Sequence, residues 1–286
     1  MPELPEVETV RKGLEPAMAG RIVESVLLRR ADLRIPFPER LKERLEGRRI
    51  ARLGRRAKYL LVHVEGVGEQ EEDVLVIHLG MSGQMHVVAD MKGYVPQKHD
   101  HMLIRLSGGG GVVLNDARRF GMVMLYAAAA YEGQPAFREM GPEPLGNAFS
   151  GYVLRERLRG KSVPVKQALL DQRVVAGVGN IYASEALYEA GISPLAKAGG
   201  LSAAKADALV QSIRNVLTRA IESGGSSLKD FIKVDGTLGY FQHSFAVYDR
   251  EGAACPRCAA NGKKKAVILK INQAGRATYY CRQCQK

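Results

Sequence analysis

Two stretches at opposite ends of the 286-residue chain hold residue types that could do chemistry. The chain opens Met1-Pro2-Glu3-Leu4-Pro5-Glu6. A methionine ahead of proline is normally removed, and its loss uncovers a secondary amine at Pro2. A terminal α-amine titrates near ~7.7 and a lysine near ~10.4, so at pH 7 the terminus is neutral roughly hundreds of times more often. Such an amine can attack the anomeric carbon of a sugar, and the cationic iminium that results is an electron sink for elimination. Glu3, the next residue, can shuttle the protons. The same Pro-Glu start also serves as an ordinary lead-in to a helix, and the residues alone leave both readings open.

At the other end, all four cysteines lie within the last 32 residues, as Cys255-Pro-Arg-Cys258 and Cys281-Arg-Gln-Cys284. Two CxxC pairs 22 residues apart, in a chain whose start is acidic and proline-bearing where a secretory signal is basic and apolar, have the spacing of a zinc site. Four thiolates close a tetrahedron and leave no position for a reactive water, so the metal would be structural. A pair of disulfides or a redox site is the competing reading.

Charge points to the kind of partner. Lysines and arginines number 42 against 30 acidic residues, a net charge of +12. The excess gathers in residues 44–58, 155–166 and 263–286, while 65–73 and 139–143 are acidic. Clustering of this kind suits a face that meets a polyanion. Hydrophobic residues at 46% and charged residues at 25% describe a soluble globular chain with a sizeable core. No apolar run approaches the roughly 20 residues of a membrane span, and the expected location is the cytoplasm, or the nucleoid if DNA is the partner.

The elements that must position these residues follow from periodicity. Val7, Val10, Leu14 and Met18 fall at helical spacing, with Pro5 in the first turn and Gly20 as a stop. Short β-branched runs then predict strands at 22–28, 59–64, 74–79, 102–106, 112–114 and 123–126, and the acidic insert 65–73 reads as a solvated hairpin tip. Residues 127–150, rich in proline and glycine, read as a linker. Beyond them the pattern is helical, at 153–158, at 165–170 and in a longer helix capped by Ser202 and ending near Gly224. In Gly177-Val178-Gly179-Asn180, Asn180 can cap the helix that follows, whose free N–H groups would suit a phosphate. Residues 226–248 read as a loop. The resulting fold class is α+β: a two-layer β-sandwich domain over 1–126, the linker, a helical domain over 151–248, and a cysteine module over 249–286.

Several motifs, taken in order, resemble the formamidopyrimidine-DNA glycosylase family. They are MPELPEVETV at the start, RRAKYL at 55–60, HLGMSG at 78–83, KHDH at 98–101, DARRFG at 116–121, GPEPL at 141–145, GVGNIYASE at 177–185 and RATYYCRQC at 276–284. Together they span nearly the whole chain. The resemblance implies a bifunctional base-excision repair enzyme that cuts the glycosidic bond of an oxidised purine and then nicks the strand by β,δ-elimination. On that basis Pro2 is the nucleophile that forms a Schiff base, Glu3 the general acid/base, Glu6 a supporting carboxylate and Lys58 a group of the elimination phase. A base worked on in duplex DNA must leave the stack, and Met81, Arg118 and Phe120 are the implied fillers of the gap. His99, Arg118, Lys161, Lys166 and Asn180 would contact DNA. Arg276 would reach a phosphate and assist the last elimination. The helical domain becomes a helix–two-turn–helix, 226–248 a lesion-recognition loop, and the cysteines the ligands of one structural zinc. The partner is damaged double-stranded DNA and the expected state a monomer.

Two departures accompany the resemblance. The interval between the cysteine pairs is longer than usual, with Asn261-Gly262-Lys263-Lys264-Lys265 in the excess, which predicts a longer finger tip with extra phosphate contacts. Ala117 stands where the family often has proline. Two rival readings share the scaffold: an enzyme resembling endonuclease VIII that prefers oxidised pyrimidines, and a non-catalytic zinc-finger DNA-binding protein. The leucine of MPELPE and the long 226–248 stretch favour the purine enzyme, and intact Pro2, Glu3 and Lys58 favour catalysis.

Overall fold

The computed structural model describes residues 1–66, 68, 71–227, 231–263 and 265–286. The chain divides into two compact units, one of Met1–Arg138 with Ser223–Tyr240, the other of Glu139–Glu222 with Phe241–Lys286.

The first unit begins with α1 (Leu4–Met18), proline at its first turn. Val7, Val10, Leu14 and Met18 lie on its buried stripe, each at most 1% exposed. Burial of that kind stabilises by about 1.5–3 kcal/mol per side chain. There follow β1 (Val23–Leu28), the single-turn α2 (Leu41–Leu45), β2 (Ile50–Arg56), β3 (Tyr59–Val64), β4 (Asp73–His78), β5 (Gly83–Val88), β6 (Asp100–Leu106), β7 (Gly111–Asp116) and β8 (Met122–Ala127). They form two four-stranded sheets, in the orders β1-β6-β7-β5 and β2-β3-β4-β8, with all neighbours antiparallel. Leu60, Val62, Leu75 and Ile77 of one sheet share a core with Met102, Ile104, Val112 and Leu114 of the other. This is the expected two-layer sandwich. α1 packs on β2, β3 and β5.

Strands β2 and β5 were not expected. In β2 the register shifts between Ile50 and Arg52, so the buried residues Ile50 and Leu53 break the alternation of period two that marks a strand. The acidic insert also differs from expectation at its end. Asp73 lies in β4 and is 5% exposed. It pairs with Arg44 and, at 2.6 Å, with the buried Arg48. Part of the expected tip, residues 67, 69 and 70, lies outside the described residues. The linker reading changes as well, since Phe137 is buried against the rings of Tyr59 and Tyr131 within the first unit.

The second unit holds α3 (Gly151–Leu158), α4 (Val165–Leu169), α5 (Asn180–Glu189) and α6 (Ala203–Glu222), with α3 and α5 packed on α6. Ser150 accepts the Val153 N–H and caps α3, and Ser202 accepts the Lys205 N–H ahead of α6. The N-cap of α5 is Gly179, with Asn180 already in the first turn. That corrects the capping role expected of Asn180. The unit closes with α7 (Pro256–Ala260) and the antiparallel hairpin β9 (Leu269–Gln273) and β10 (Arg276–Tyr280). Ala274 and Gly275, both at positive φ, make its tight turn.

The stretch 226–248, irregular where it is described, divides between the two units. Phe231 and Val234 join the core of the first unit, Tyr240 N–H donates to the Ser223 carbonyl, and the Gly239 N–H donates to Ser227. From Phe241 onward the chain belongs to the second unit. There Glu185 of α5, 5% exposed, accepts the N–H groups of Ala246, Val247 and Tyr248 at 2.7–3.0 Å. Burial pushes the Glu185 carboxyl up. The residues 228–230 of the expected recognition loop lie outside the described residues. Among the described residues no helix is long and apolar enough to cross a membrane.

Candidate active site

At the start of α1 the chain turns inward. Met1 is 51% exposed while Pro2 is buried, and Glu3 and Glu6 are 3% and 2% exposed. Glu6 closes back on the helix start: one oxygen accepts the Glu3 N–H at 2.9 Å and the other the Ser226 N–H at 2.8 Å. The carboxylate thus fixes the backbone of Glu3 and ties residues 223–240 to α1. An acidic side chain here also faces the positive end of the helix dipole.

Lys58, 7% exposed, sits in the two-residue turn between β2 and β3, where Arg56 pairs with Tyr59. Its predecessor Ala57 is buried at φ +52°, a left-handed conformation that costs a non-glycine residue about 1–2 kcal/mol. Arg55 donates to the Ala57 carbonyl at 2.9 Å and so braces the turn. Next to it, at the end of β4, the His78 ring meets that of Tyr59 at a tilt of 54° with centroids 4.9 Å apart, and it accepts the Gly80 N–H at 3.0 Å. Burial, with Lys58 and Arg34 nearby, lowers His78 to about 4. The ring is neutral at pH 7.

The implied gap-fillers form one exposed tip. Met81 is 37% and Phe120 42% exposed, and the Arg118 guanidinium lies 4.8 Å from the centre of the Phe120 ring. Their side chains are outward, but the backbone beneath them is held by buried hydrogen bonds. The fully buried Asp116 accepts Ser82 Oγ at 2.6 Å and the Gly121 N–H at 2.7 Å. Ser82 Oγ accepts the Arg118 N–H at 3.1 Å. Gly80, at φ +63°, leaves no room for a side chain, because a Cβ would stand 2.3 Å from the Phe120 carbonyl carbon. His99 is half-buried, and its carbonyl accepts the Asp116 N–H. Its ring meets that of His101 with centroids 6.3 Å apart.

In the second unit Lys166 and Arg276 line one cavity of about 230 Å³, with Gln273 and Thr278 among its other walls. Arg276 is exposed. Lys166 is not: at 1% exposure its ammonium donates to the Ala277 carbonyl at 2.9 Å and to Thr278 Oγ1 at 2.7 Å. Asn180 donates to the same Ala277 carbonyl at 3.0 Å. Both residues therefore brace the strand that carries Arg276. Lys161 stands 3.9 Å from Asp171, which also pairs with Arg173.

The sulfurs of Cys255, Cys258, Cys281 and Cys284 all lie within 4.8 Å of one another. The Cys255–Cys284 and Cys258–Cys281 separations are 3.7 Å, too long for a disulfide bond of about 2.05 Å. Among the described residues these four form the only such cluster, and its spacing suits a closed tetrahedral metal ion.

The sequence did not single out Ser82, Asp116, Glu185 or the Glu8–Arg55 pair. Asp116 begins the DARRFG motif, but its burial shows only once β7 is paired. The expected basic face over 44–58 is also partly consumed, since Arg44 and Arg48 pair with Asp73 and Arg55 pairs with Glu8 at 3.2 Å.

An antiparallel sandwich opening on a buried Pro-Glu pair, followed by a helix–two-turn–helix unit and a four-cysteine hairpin, has the build of a DNA-repair glycosylase. Family models described as the formamidopyrimidine-DNA glycosylase N-terminal and H2TH domains match residues 1–123 and 140–232. The chain belongs to the formamidopyrimidine-DNA glycosylase family. It is 51% identical to proteins of that name from Cereibacter sphaeroides and Ruegeria pomeroyi, with the whole of each chain covered. Among solved structures it resembles the Lactococcus lactis Fpg in complex with abasic-site DNA, at 34% identity, full coverage of both chains and a TM-score of 0.87. It also resembles the Thermus thermophilus Fpg, at 38% identity, 99% and 98% coverage and a TM-score of 0.83.

Proposed function

We propose that the protein is a bifunctional glycosylase and abasic-site lyase that removes oxidised purines, 8-oxoguanine and formamidopyrimidines, from duplex DNA. The observation that carries this reading is the buried Pro2-Glu3 start, held by Glu6 while Met1 remains exposed. Removal of Met1 uncovers the Pro2 amine. That nitrogen attacks C1′ of the damaged nucleotide as the bond from C1′ to the base breaks and the base departs with a proton. Glu3 delivers a proton to the sugar ring oxygen, and the ring opens to an iminium. Loss of a C2′ proton then expels the 3′ phosphate, and a second proton loss expels the 5′ phosphate. Water releases Pro2 from the remaining fragment. Lys58 serves the elimination phase, and as a cation beside the amine it favours the neutral, reactive form.

In this reading Met81, Arg118 and Phe120 fill the space the flipped nucleotide leaves. His99, Lys161, Lys166, Asn180 and Arg276 serve the phosphate backbone, Lys166 and Asn180 through the strand they brace, and Arg276 assists the final elimination. The four cysteines would hold one structural zinc. A tetrahedral site with zinc–sulfur bonds of about 2.3 Å spaces its sulfurs by about 3.8 Å, close to the 3.7 Å separations present. Zinc would stabilise the hairpin that carries Arg276. The enzyme would act as a monomer on damaged DNA in the bacterial cytoplasm.

Borohydride trapping on a duplex with 8-oxoguanine opposite cytosine tests the reading. The expected result is a covalent adduct that disappears in a Pro2→Gly protein retaining Met1. An adduct only with oxidised thymine would assign the protein to the pyrimidine enzymes. DNA binding with no adduct on any lesion would leave a binding module.

A further inference from the structure

A bridge between α1 and the Lys58 turn plays no part in the chemistry above. Glu8 is the fifth residue of α1, the helix whose N-cap, Glu3, directly follows Pro2. Its carboxylate accepts Arg55 Nε at 3.2 Å. The other edge of that guanidinium donates to the Ala57 carbonyl at 2.9 Å, on the peptide immediately ahead of Lys58. Both side chains are mostly buried, at 11% and 16% exposure. Glu8 is itself gripped from along the helix by Arg11 at 2.9 Å, and Arg11 reaches on to Glu15 at 2.6 Å. A planar guanidinium can serve two acceptors at fixed angles, which an ammonium on a flexible stem cannot.

Helix and turn are the two pieces that carry the proposed reacting groups. The helix presents Pro2 at its start, and the turn presents Lys58 after a left-handed alanine. Small displacements between reacting groups are costly, since 1 Å of misplacement can lower a rate about 100-fold. We infer that Glu8 and Arg55 are positioning residues, which fix the height of the Lys58 turn against α1 and so keep the Lys58 ammonium in register with the Pro2 amine. The inference rests on the proposed roles of Pro2 and Lys58.

The test uses the full-length protein in single-turnover reactions on a duplex with a preformed abasic site and on one with 8-oxoguanine. Glu8→Gln and Arg55→Met are expected to slow elimination about tenfold while duplex affinity stays within twofold. Arg55→Lys should recover the melting temperature lost in Arg55→Met but not the rate. The decisive arm repeats Glu8→Gln and Arg55→Met in a Lys58→Ala background, where neither should slow the residual reaction further. Equal slowing with and without Lys58 would show a merely structural salt bridge and overturn the inference, as would normal elimination in both single variants. If Lys58→Ala alone left elimination unchanged, the role given to Lys58 would fail, and the positioning role with it. A variant too unstable to assay is replaced by Glu8→Asp, which should lengthen the bridge and slow elimination less than Glu8→Gln does; an equal loss would count against the inference.

Discussion

The helix start around Pro2 and the tip that carries Met81 and Phe120 belong to the same unit and are built to opposite specifications. At the helix start, polar groups are buried and held. Glu3, Glu6 and Lys58 are all under 8% exposed, and Glu6 already accepts two backbone N–H groups. At the tip, large apolar groups are exposed, and only the backbone beneath them is held, by Asp116, Ser82 and Gly80. A buried charge must find partners within the protein or destabilise it, so this corner has to be organised by the fold itself. An exposed Phe or Met meets no such demand; its partner can come from outside. In the proposed function, the first site is preformed and the second is completed by the base stack.

Four measurements would break or sharpen this contrast. The largest effect belongs to Glu3→Gln, which keeps shape and removes the proton carrier: base excision should fall about 10²–10⁴-fold with unchanged affinity for the lesion duplex. Loss of affinity instead would mean that the corner binds DNA rather than reacts with it. Gly80→Ala comes next. Its Cβ collides with the Phe120 backbone in a conformation that costs of order 1–3 kcal/mol. Excision from duplex DNA should drop about 10–100-fold, while an abasic site in single-stranded DNA, which needs no gap filled, should be processed at the normal rate.

Phe120→Ala should give a smaller loss of about tenfold on duplex lesions, within the few kcal/mol that unstacking requires. Its melting temperature should not change, because the ring is exposed; a lowered melting temperature would place Phe120 in the core and dissolve the contrast. The last measurement concerns pH and reads stability in place of rate. His78 has its folded value lowered from the usual 6.5 to about 4, by burial first and then by Lys58 and Arg34. The unfolded chain therefore takes up the proton first as pH falls, and the stability from the neutral ring, complete above 6.5, is lost between 6.5 and about 4. The loss amounts to at most about 3 kcal/mol. Thermal melting at pH 7 and pH 4.5 should show it, and His78→Gln should flatten that dependence.

Much of the candidate site was legible because its signals are local. Pro2 and Glu3 are adjacent, the cysteine spacing is a pattern in one dimension, and α1 announces itself by its apolar period. The fate of the charges was not legible. Arg44 and Arg48 read as part of an electropositive face, yet both answer Asp73, which lies 29 and 25 residues further along the chain. Arg55 answers Glu8 across 47 residues. Lys166 reads as a phosphate contact and is found buried, holding residues 111 and 112 positions away. Ion pairs of such separation depend on which strands become neighbours, and no local period encodes that.

By itself, then, the sequence determined where the cysteine cluster falls, that a Pro-Glu pair opens the first helix, and that short strands in two layers precede a helical half. Tertiary structure decided the rest. It drew Phe231 and Val234 into the sandwich core, gave Glu6 the N–H of Ser226, and set Lys58 in a turn braced from α1. The division has one physical source. Propensity and spacing act between residues close along the chain, whereas the burial of a charge is settled only when packing removes its water and some distant group must take water's place.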